Sequence, residues 1–219
     1  MLETVFFDNV NLRSFEETPP KGTLSEVWKT DVCFEKGRSY LIEAASGRGK
    51  SSFCAFLYGL RNDYVGEIRL KYDGGESVTA KEADFVSLRQ NSLAMMFQEL
   101  RLFPELNAVD NVMLKNSLTG YATEKDVRSM LIKLGLEQHL GRPCVKLSFG
   151  QQQRVAFVRA LCQPADFIIL DEPVSHLDET NASIMARMLR ERQRTDNIGV
   201  IVTSIGYRLP YEYDKVLSL

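Results

Sequence analysis

Short apolar runs alternate with segments of helical periodicity along most of the chain. Strand-like runs occupy residues 4–10, 27–34, 39–45, 67–72, 166–170, 199–204 and 214–219. Four of them (39–45 and the last three) are short and nearly all apolar, which is typical of parallel strands covered on both faces.

Apolar residues recur at helical spacing between these runs. After Lys50 they follow the i, i+3, i+4, i+7 pattern of an amphipathic helix, at Phe53, Phe56, Leu57 and Leu60. Similar stripes lie at 151–162 and 179–194. The stretch 105–145 looks helical without strong strands, which predicts a helical lobe at about 100–148, inserted between core strands. Strands that alternate with helices indicate an α/β fold with a mainly parallel sheet.

Size and composition narrow the class of protein. The 219 residues are enough for one domain, so we expect residues 1–219 to form a single unit. Hydrophobic residues make up 44% and charged residues 26%, which excludes a disordered chain. The net charge of −2 gives no basic footprint for nucleic acid, and the 2 histidines nearly exclude a His-rich metal site. Near the start, only residues 16–23 are loop-rich.

The cysteines and the lengths of the apolar runs indicate the cellular compartment in which the chain folds. The four cysteines form no CxxC pair, so we expect buried thiols in a reducing compartment. The N-terminus lacks the basic region of a secretory signal, and no apolar run approaches the roughly 20 residues of a membrane span. We therefore expect a chain that is soluble by itself and could dock onto a membrane protein.

A glycine-rich segment at 44–52 follows a predicted strand and precedes a predicted helix. It matches G-x-x-x-x-G-K-[ST] except that Ala44 replaces the first glycine. Gly47 and Gly49 allow backbone N–H groups to converge on phosphate oxygens, and the helix that begins near Lys50 points its N-terminus at the anion. Lys50 can reach the β- and γ-phosphates. The predicted phosphate-binding residues are Ala45, Ser46, Gly47, Arg48, Gly49, Lys50, Ser51 and Ser52.

Two carboxylates end the apolar run at 167–170. Asp171 and Glu172 are predicted at the carboxyl edge of the sheet, where open α/β folds bind ligands. Asp171 suits Mg²⁺ through a water, together with the Ser51 hydroxyl. Glu172 suits a general base that polarises the attacking water. Solvated acids at a strand end would be the better interpretation without the phosphate loop.

Taken together, these segments resemble the nucleotide-binding domain of the ATP-binding cassette (ABC) ATPases. Residues 95–112 place Gln98 at the family's Q-loop, and LSFGQQQRVAFVRAL at 147–161 is similar to the family signature. Residues 175–178 (SHLD) look like the D-loop, to which Ser175 and Asp178 belong. The resemblance covers nearly the whole chain in the family's order. It implies a P-loop NTPase core with an N-terminal antiparallel β region and the inserted helical lobe.

The resemblance also implies cofactors and residue roles. ATP and Mg²⁺ are the expected cofactors, with Ser51, Gln98 and Asp171 toward the metal and Glu172, Gln98 and Ser204 as the catalytic set. In the family the signature closes onto ATP held by a second subunit, which implies a head-to-tail dimer of identical or related chains. Ser148, predicted as a helix N-cap, would face the partner's ATP together with Phe149, Gly150 and Gln151.

The adenine is expected to stack on an aromatic ring. The family uses an aromatic residue after its first strand, and Phe15 is the nearest candidate here. Trp28 is the second candidate, and ordinary packing is the alternative for both rings.

Three residues depart from the family pattern. Ala44 replaces a glycine, and Phe149 replaces the first glycine of the signature, where its ring could block the opposite phosphate or turn outward against the partner. Ser204 stands where the family has its switch histidine, and neither His139 nor His176 occupies that place. Loss of one polar contact to a developing charge costs on the order of 10²–10³ in rate, so we expect slow or partner-dependent hydrolysis.

Two hypotheses follow for function. The first is the ATPase subunit of a transporter or related membrane machine, cytoplasmic and held at the inner face of the membrane by separate permease subunits. Leu102, Phe103 and Leu106 would then form either a docking surface for that partner or the core of the lobe. The alternative is an ATP-switched dimerising module with weak hydrolysis, which Phe149 and Ser204 favour. A DNA-acting ATPase and a small-molecule kinase fit the sequence less well, and no nucleic acid partner is expected.

Overall fold

Two β-sheets form the frame of the protein in a computed structural model that describes residues 1–17 and 25–219. The predicted loop at 16–23 therefore lies mostly outside the described residues. An antiparallel sheet has the strand order β2-β1-β4-β5, and a parallel sheet has the order β6-β7-β8-β3-β9. The strands are β1 (Leu2–Leu12), β2 (Val32–Glu35), β3 (Ser39–Glu43), β4 (Tyr64–Tyr72), β5 (Ser77–Thr79), β6 (Leu93–Met96), β7 (Phe167–Asp171), β8 (Gly199–Ser204) and β9 (Lys215–Ser218).

Helices cover the sheets and build the predicted lobe. They are α1 (Arg13–Glu17), α2 (Lys50–Leu57), α3 (Phe85–Asn91), α4 (Ala108–Asn116), α5 (Glu124–Lys133), α6 (Phe149–Leu161) and α7 (Glu179–Asp196). Two short 3₁₀ helices follow α5, at Glu137–His139 and Cys144–Lys146. The lobe consists of α4, α5 and these turns, and it packs against α6. The fold is thus the α/β class predicted from the sequence, with a parallel core sheet and an N-terminal antiparallel sheet.

The parallel sheet separates two hydrophobic cores. Along each central strand successive side chains enter opposite cores, as the two-residue period of a strand requires. Leu41 and Ile168 lie in the core shared with α4 to α7, whereas Ile42 and Ile169 lie in the core shared with the antiparallel sheet and α2. Burial on both faces explains why the strands at 39–45, 166–170 and 199–204 are almost continuously apolar.

The prediction of a strand over 27–34 is wrong for its first half. Only Val32–Glu35 is a strand, and the residues before it form turns. The Ser25 hydroxyl accepts hydrogen bonds from the backbone N–H groups of Val27 and Trp28, at 3.0 and 2.8 Å, and Lys29 adopts a left-handed φ of 61°. A local side-chain acceptor therefore competes here with strand pairing.

Sequence periodicity missed one strand of the parallel sheet. Leu93–Met96 forms the edge strand β6 and pairs in parallel with β7, from Leu93 opposite Phe167 to Met96 opposite Leu170. All four of its residues are buried. Its Leu, Ala and Met residues favour helix by intrinsic propensity, so the tertiary environment decides the conformation.

Three adjacent parallel strands bring the predicted site residues to one edge. In the register of β3, β8 and β7, Ile42 lies opposite Thr203, Glu43 opposite Ser204, and Asp171 opposite Thr203. Because the carboxyl ends of parallel strands point the same way, the segment after β3 and the carboxylates after β7 meet at this edge.

Candidate active site

The segment between β3 and α2 forms an open loop with a helix N-terminus at its end. Gly47 and Gly49 have left-handed φ values of 78° and 91°, which favour glycine. An ideal Cβ on Gly49 would lie 3.0 Å from Leu12 Cδ1 and 3.2 Å from Trp28 Cζ2, whereas one on Gly47 would meet no described atom within 4 Å. In the described part of the chain no side chain caps α2 at Gly49. The first N–H groups of this helix are therefore not occupied by a capping side chain and could donate to an anion.

Ala44 is accommodated at the start of this loop. Its backbone stays outside the left-handed region, so the position does not require glycine. Its side chain packs against the core under the antiparallel sheet, and its N–H donates to the Ser204 carbonyl at 3.2 Å. The departure at Ala44 thus leaves the loop geometry intact.

The other predicted loop residues are spread around the same bend. Ala45 and Ser46 are exposed at its tip, and Arg48 contributes its carbonyl to a hydrogen bond with Trp28. Ser52 lies in the first turn of α2 and accepts a hydrogen bond from Arg61 at 2.7 Å. The exposed tip and the helix start are the parts of the loop that a phosphate can approach.

Trp28 supports the loop from below, and its prediction as an adenine-stacking residue is wrong. The side chain is only 6% exposed, and its indole N–H donates to the Arg48 carbonyl at 3.1 Å. The ring packs at a steep angle against Phe53 and Phe56, and its burial leaves no room for a base to stack on it. Phe15 lies in α1, partly buried against the same core. Its role toward adenine stays a prediction.

Lys50 lies inside the loop with its ammonium group facing a carboxylate. Nζ donates to the carbonyls of Ala44 and Ala45, at 2.9 and 3.1 Å. It also lies 3.6 Å from Glu172 Oε1, and both side chains are buried. Loop, cation and acid are thus held within one small volume.

Oxygen donors suited to Mg²⁺ converge beside Lys50. The Ser51 hydroxyl donates to Gln98 Oε1 at 3.2 Å, and the Thr203 hydroxyl donates to Asp171 Oδ1 at 2.5 Å. Burial raises the pKa of Asp171, and hydrogen bonds from Thr203 and Ser51 partly oppose this. The described residues hold no cluster of three His, Cys, Asp or Glu side chains. A hydroxyl, an amide and one carboxylate fit Mg²⁺, which usually takes few protein ligands and completes its shell with phosphates and water.

Glu172 sits in a left-handed turn directly after β7. Its φ is 51°, an unfavourable conformation for a non-glycine residue that costs of order 1–3 kcal/mol. The Glu172 N–H donates to Thr203 Oγ1 at 3.1 Å, and Gln153 Nε2 donates to the Glu172 carbonyl at 3.3 Å. Burial raises the pKa of Glu172, while Lys50 lowers it in part. A raised pKa makes this carboxylate a stronger base.

A cavity of about 680 Å³ joins Glu172 to four other segments of the chain. Its lining is drawn from the Q-loop, the signature, the D-loop and the turn after β8: Gln98, Glu99, Phe149, Glu172, Ser175, His176, Ser204, Ile205 and Tyr207. The structure thus brings Gln98, Glu172 and Ser204 to one space. Ile205 and Tyr207 were not predicted, and both are exposed there.

Ser204 uses its hydroxyl to close its own turn. Oγ donates to the Tyr207 carbonyl at 2.8 Å and accepts from the Gly206 N–H at 3.0 Å. The catalytic role of Ser204 stays a prediction. Contact of this hydroxyl with a phosphate would require the turn to give up one of these bonds.

The signature segment begins a helix whose first turn is exposed. The Ser148 hydroxyl accepts from the Gln151 N–H at 3.3 Å, and Gln151 Oε1 accepts from the Ser148 N–H at 2.9 Å, which is a capping box. Ser148 is therefore the predicted N-cap of α6. The Phe149 ring is 43% exposed and packs edge-on against His176 of its own chain, with 4.5 Å between ring centroids.

In the D-loop, Asp178 acts as the N-cap of α7. Its Oδ1 accepts from the Asn181 N–H at 2.8 Å. Hydrogen bonds from Asn181 hold the pKa of Asp178 below its usual value. Ser175 lies between Glu172 and His176 and contacts both.

The bend after Gln98 borders a groove between the parallel sheet and the lobe. Leu100 and Arg101 both have left-handed φ values, 60° and 47°, and the Arg159 guanidinium donates to both of their carbonyls. The groove measures about 320 Å³ and is lined by Tyr58, Met95, Phe97, Arg101, Phe103, Asn111, Leu114, Lys115, Leu118, Arg159, Ala160 and Gln163. Phe103 is 51% exposed, whereas Leu102 packs against the core and Leu106 is half-buried.

Comparison with known proteins identifies the family. The sequence profile described as "ABC transporter" matches residues 28–175. The chain belongs to the ABC transporter family. Among its ABC relatives, the lipoprotein-releasing system ATP-binding protein LolD of Legionella pneumophila is 32% identical over 192 residues, covering 86% of this chain and 84% of LolD. The putative hemin import ATP-binding protein HrtA of Staphylococcus epidermidis is 32% identical over 205 residues, covering 91% and 90%.

Solved ABC structures share the fold. The dimeric structure of MJ0796, a bacterial ABC transporter cassette, aligns with a TM-score of 0.75 at 23% identity, covering 91% of this chain and 87% of that one. The same cassette in a post-hydrolysis state bound to ADP and Pi aligns with a TM-score of 0.73. Within the described residues of this ABC protein, no helix has both the length and the apolar character needed to traverse a bilayer.

Sequence reasoning missed two residues that organise the candidate site. Thr203 contacts both Asp171 and the Glu172 backbone, and Gln153 contacts the Glu172 backbone and Ser175. Thr203 lies one residue before the end of β8, which is next to β7. If the two strands had been predicted as neighbours, this position would have placed Thr203 beside Asp171. For Gln153 the sequence offered only its place in the signature.

Proposed function

We propose that this chain is the ATP-binding and ATP-hydrolysing subunit of an ABC transporter or a related membrane machine. One observation carries the proposal: Lys50 lies inside an open phosphate-type loop, 3.6 Å from Glu172 and beside the oxygen donors Ser51, Gln98 and Asp171. In this assignment residues 1–219 form one ATP-binding domain, whose helical part spans about 100–148.

Each group has a role that its surroundings support. Lys50 and the first N–H groups of α2 bind the β- and γ-phosphates of ATP. Ser51, Gln98 and Asp171 hold Mg²⁺, which neutralises charge on the phosphates when bound. Glu172 orients the attacking water and takes its proton, a role to which a buried carboxylate with a raised pKa is suited.

The chain works as a head-to-tail dimer in this proposal. Ser148 and the exposed first turn of α6 present backbone N–H groups and a helix N-terminus to the ATP of the partner subunit. The relation to MJ0796 supports a shared fold, and that cassette is described as dimeric. Identical or closely related chains both satisfy this arrangement.

A separate membrane permease is the proposed second partner, which holds the chain at the cytoplasmic face of the membrane. The relatives LolD and HrtA are named as ATP-binding proteins of a lipoprotein-releasing system and of putative hemin import. The groove beside the lobe offers the exposed apolar side chains of Phe103, Leu114 and Leu118. Its described lining includes three cations and no carboxylate, which favours a permease segment that carries acidic and apolar side chains.

Nucleotide binding and turnover test the proposal directly. The purified chain should bind ATP, measured by calorimetry, and hydrolyse it slowly in the presence of Mg²⁺. Lys50→Ala should abolish measurable binding because the phosphates lose their main cation. The matched control is Lys36→Ala, which breaks a buried ion pair with Asp166 (2.6 Å) at the opposite edge of the sheet. A Lys50→Ala protein that binds ATP as tightly as Lys36→Ala would contradict the assignment.

The closed turn at Ser204 supports a second candidate, an ATP-switched dimerising module with little turnover. In this case ATP would drive dimerisation, and the conformation itself would be the output. Steady-state hydrolysis with and without the permease in lipid nanodiscs separates the two. Stimulation by the permease supports the transporter subunit, while ATP-dependent dimers without turnover in either state support the switch.

A further inference from the structure

The first turn of α6 and the D-loop are locked together within one chain. The rings of Phe149 and His176 meet edge-on at 4.5 Å with an interplanar angle of 68°. Next to them the backbones approach so closely that a Cβ on Gly150 would lie 2.8 Å from the His176 carbonyl and 3.3 Å from Leu177 Cδ2. Ring contact and close backbone approach together restrict how far His176 can move relative to α6.

Ser175 links His176 to the backbone of Glu172. Its hydroxyl lies 2.9 Å from His176 Nδ1 and 3.5 Å from the Glu172 carbonyl, and it accepts from Gln153 Nε2 at 3.2 Å. A serine hydroxyl has one proton to donate and two lone pairs that accept. All three contacts are therefore hydrogen bonds only if His176 carries a proton on Nδ1 and donates it to Ser175, which then donates to the Glu172 carbonyl.

The other neutral form of the His176 ring interrupts this series of hydrogen bonds. With its proton on Nε2, His176 can only accept at Nδ1, so Ser175 donates to His176 and not to Glu172. The Glu172 carbonyl then keeps Gln153 as its donor. The left-handed turn at Glu172, with φ of 51°, would lose one of the hydrogen bonds that hold it.

We propose that His176 is a positioning residue for the hydrolysis assigned to Glu172. Its ring, held edge-on by Phe149, donates from Nδ1 to Ser175, and Ser175 in turn fixes the Glu172 carbonyl and thereby the direction of the Glu172 carboxylate. The inference rests on the proposed ATPase function. It also connects the first turn of α6, assigned to the ATP of the partner subunit, with the base that acts on the chain's own ATP.

Imidazole NMR of the full chain tests the hydrogen-bond chain without any need for turnover. The sequence has two histidines, so ¹⁵N-histidine labelling gives two rings, and the spectrum of His176→Phe assigns them. At a pH where both rings are neutral, we expect His176 to carry its proton on Nδ1 and Ser175→Ala to shift it toward Nε2, with His139 unchanged. A parent His176 protonated on Nε2, or no change in Ser175→Ala, overturns the proposal.

Kinetics of the same variants test the positioning role. His176→Phe keeps a ring against Phe149 but has no donor, and Ser175→Ala removes the hydroxyl, so each should lower kcat about tenfold while KM for ATP stays within about twofold. Ser175→Thr, which keeps the hydroxyl, should restore most of the parent rate. Because both variants interrupt the same series of hydrogen bonds, the double variant should be no slower than the slower single variant.

A control and the contrary outcomes complete the test. Phe6→Leu removes a half-buried ring stacked with Arg69 on the antiparallel sheet and should leave kcat unchanged. Two results overturn this inference but not the proposed function. In the first, the parent hydrolyses ATP and His176→Phe has the same kcat. In the second, the losses of the two single variants multiply in the double variant. A parent that neither binds nor hydrolyses ATP overturns the proposed function instead, and the NMR result then still decides the hydrogen-bond chain.

Discussion

The indole N–H of Trp28 donates a hydrogen bond to the backbone carbonyl of Arg48, 3.1 Å away. Arg48 lies in the middle of the loop assigned to phosphate, and Trp28 is the only tryptophan in the chain. A buried ring from the turn before β2 therefore sets the position of a loop that follows β3.

Replacing this indole should weaken nucleotide binding. Trp28→Phe keeps an aromatic ring but removes the indole N–H that donates to the Arg48 carbonyl, so we expect ATP affinity to fall about fivefold to tenfold, since a hydrogen bond contributes about 1 kcal/mol. Calorimetric titration with ATP measures the effect. Phe56→Leu is the matched control, because it removes a ring that packs on Trp28 without touching the loop carbonyl. Equal affinities in Trp28→Phe and the parent would exclude Trp28 from this role.

Gly49 should be the least replaceable glycine of the loop. Gly49→Ala places a Cβ in a left-handed conformation and against Leu12 and Trp28, so it should destabilise the fold by more than the 1–2 kcal/mol that left-handed backbone costs, roughly. Gly74 has a similar φ of 86°, and no described atom lies within 4 Å of the Cβ that Gly74→Ala would add. This variant should therefore lose only the free energy that the left-handed backbone costs. Urea denaturation of both proteins gives the difference. An equal loss of stability in the two variants would mean that Leu12 and Trp28 move aside for the new Cβ at no cost.

Asp171→Asn should stabilise the protein at neutral pH while it impairs Mg²⁺-dependent function. Burial raises the pKa of Asp171, so its charged form destabilises the folded state. The free energy of unfolding of the parent is therefore highest at low pH, where the Asp171 carboxyl group is protonated. It falls as pH rises above about 3.8, and the fall is complete above the raised pKa of the folded state. We expect a Tm roughly 2–4 °C above the parent at pH 7, a shift that about 1 kcal/mol produces. The advantage should shrink as pH falls, and a gain that is constant with pH would contradict its electrostatic origin.

Glu172→Gln should separate binding from hydrolysis. The amide keeps the size of the side chain and can no longer take a proton, so kcat should fall on the order of 10²–10³ or more while ATP binding persists. Light scattering should then detect an ATP-stabilised dimer. Glu43→Gln, at the end of β3 and paired with Arg208 at 2.6 Å, is the control carboxylate. Turnover that survives the change at Glu172 would remove it from the role of base.

Charge reversal in the groove should release the chain from its membrane partner. Lys115 lines the groove, and burial together with Arg159 and Arg89 lowers its pKa, which marks an excess of positive charge. Lys115→Glu should reduce the fraction of protein that sediments with membranes, without a change in ATP affinity. Lys133→Glu, exposed elsewhere on the lobe, is the control. Equal membrane retention of the two variants would place the partner at another surface.

The amount that the sequence predicted depends on how locally each feature is determined. The parallel strands β3, β7, β8 and β9, the helices α2 and α6, and the edge carboxylates follow from patterns within a few residues, and the structure has them at nearly the predicted bounds. The strand at Leu93–Met96 was missed because its burial is decided by β7, which lies about 70 residues away. The rings of Trp28 and Phe149 could not be placed from sequence, since a ring's orientation depends on partners such as Phe53 and His176.

Arg159 of α6 binds both carbonyls at the bend after Gln98. Two successive residues in a costly backbone conformation, Leu100 and Arg101, direct their carbonyls at the same guanidinium. The planar guanidinium reaches the two carbonyls from two separate nitrogens in a fixed fork, whereas a lysine ammonium would have to reach both from a single nitrogen. We therefore expect even the most conservative exchange at this position to weaken the hold on both carbonyls and to reshape the groove that we propose for the permease.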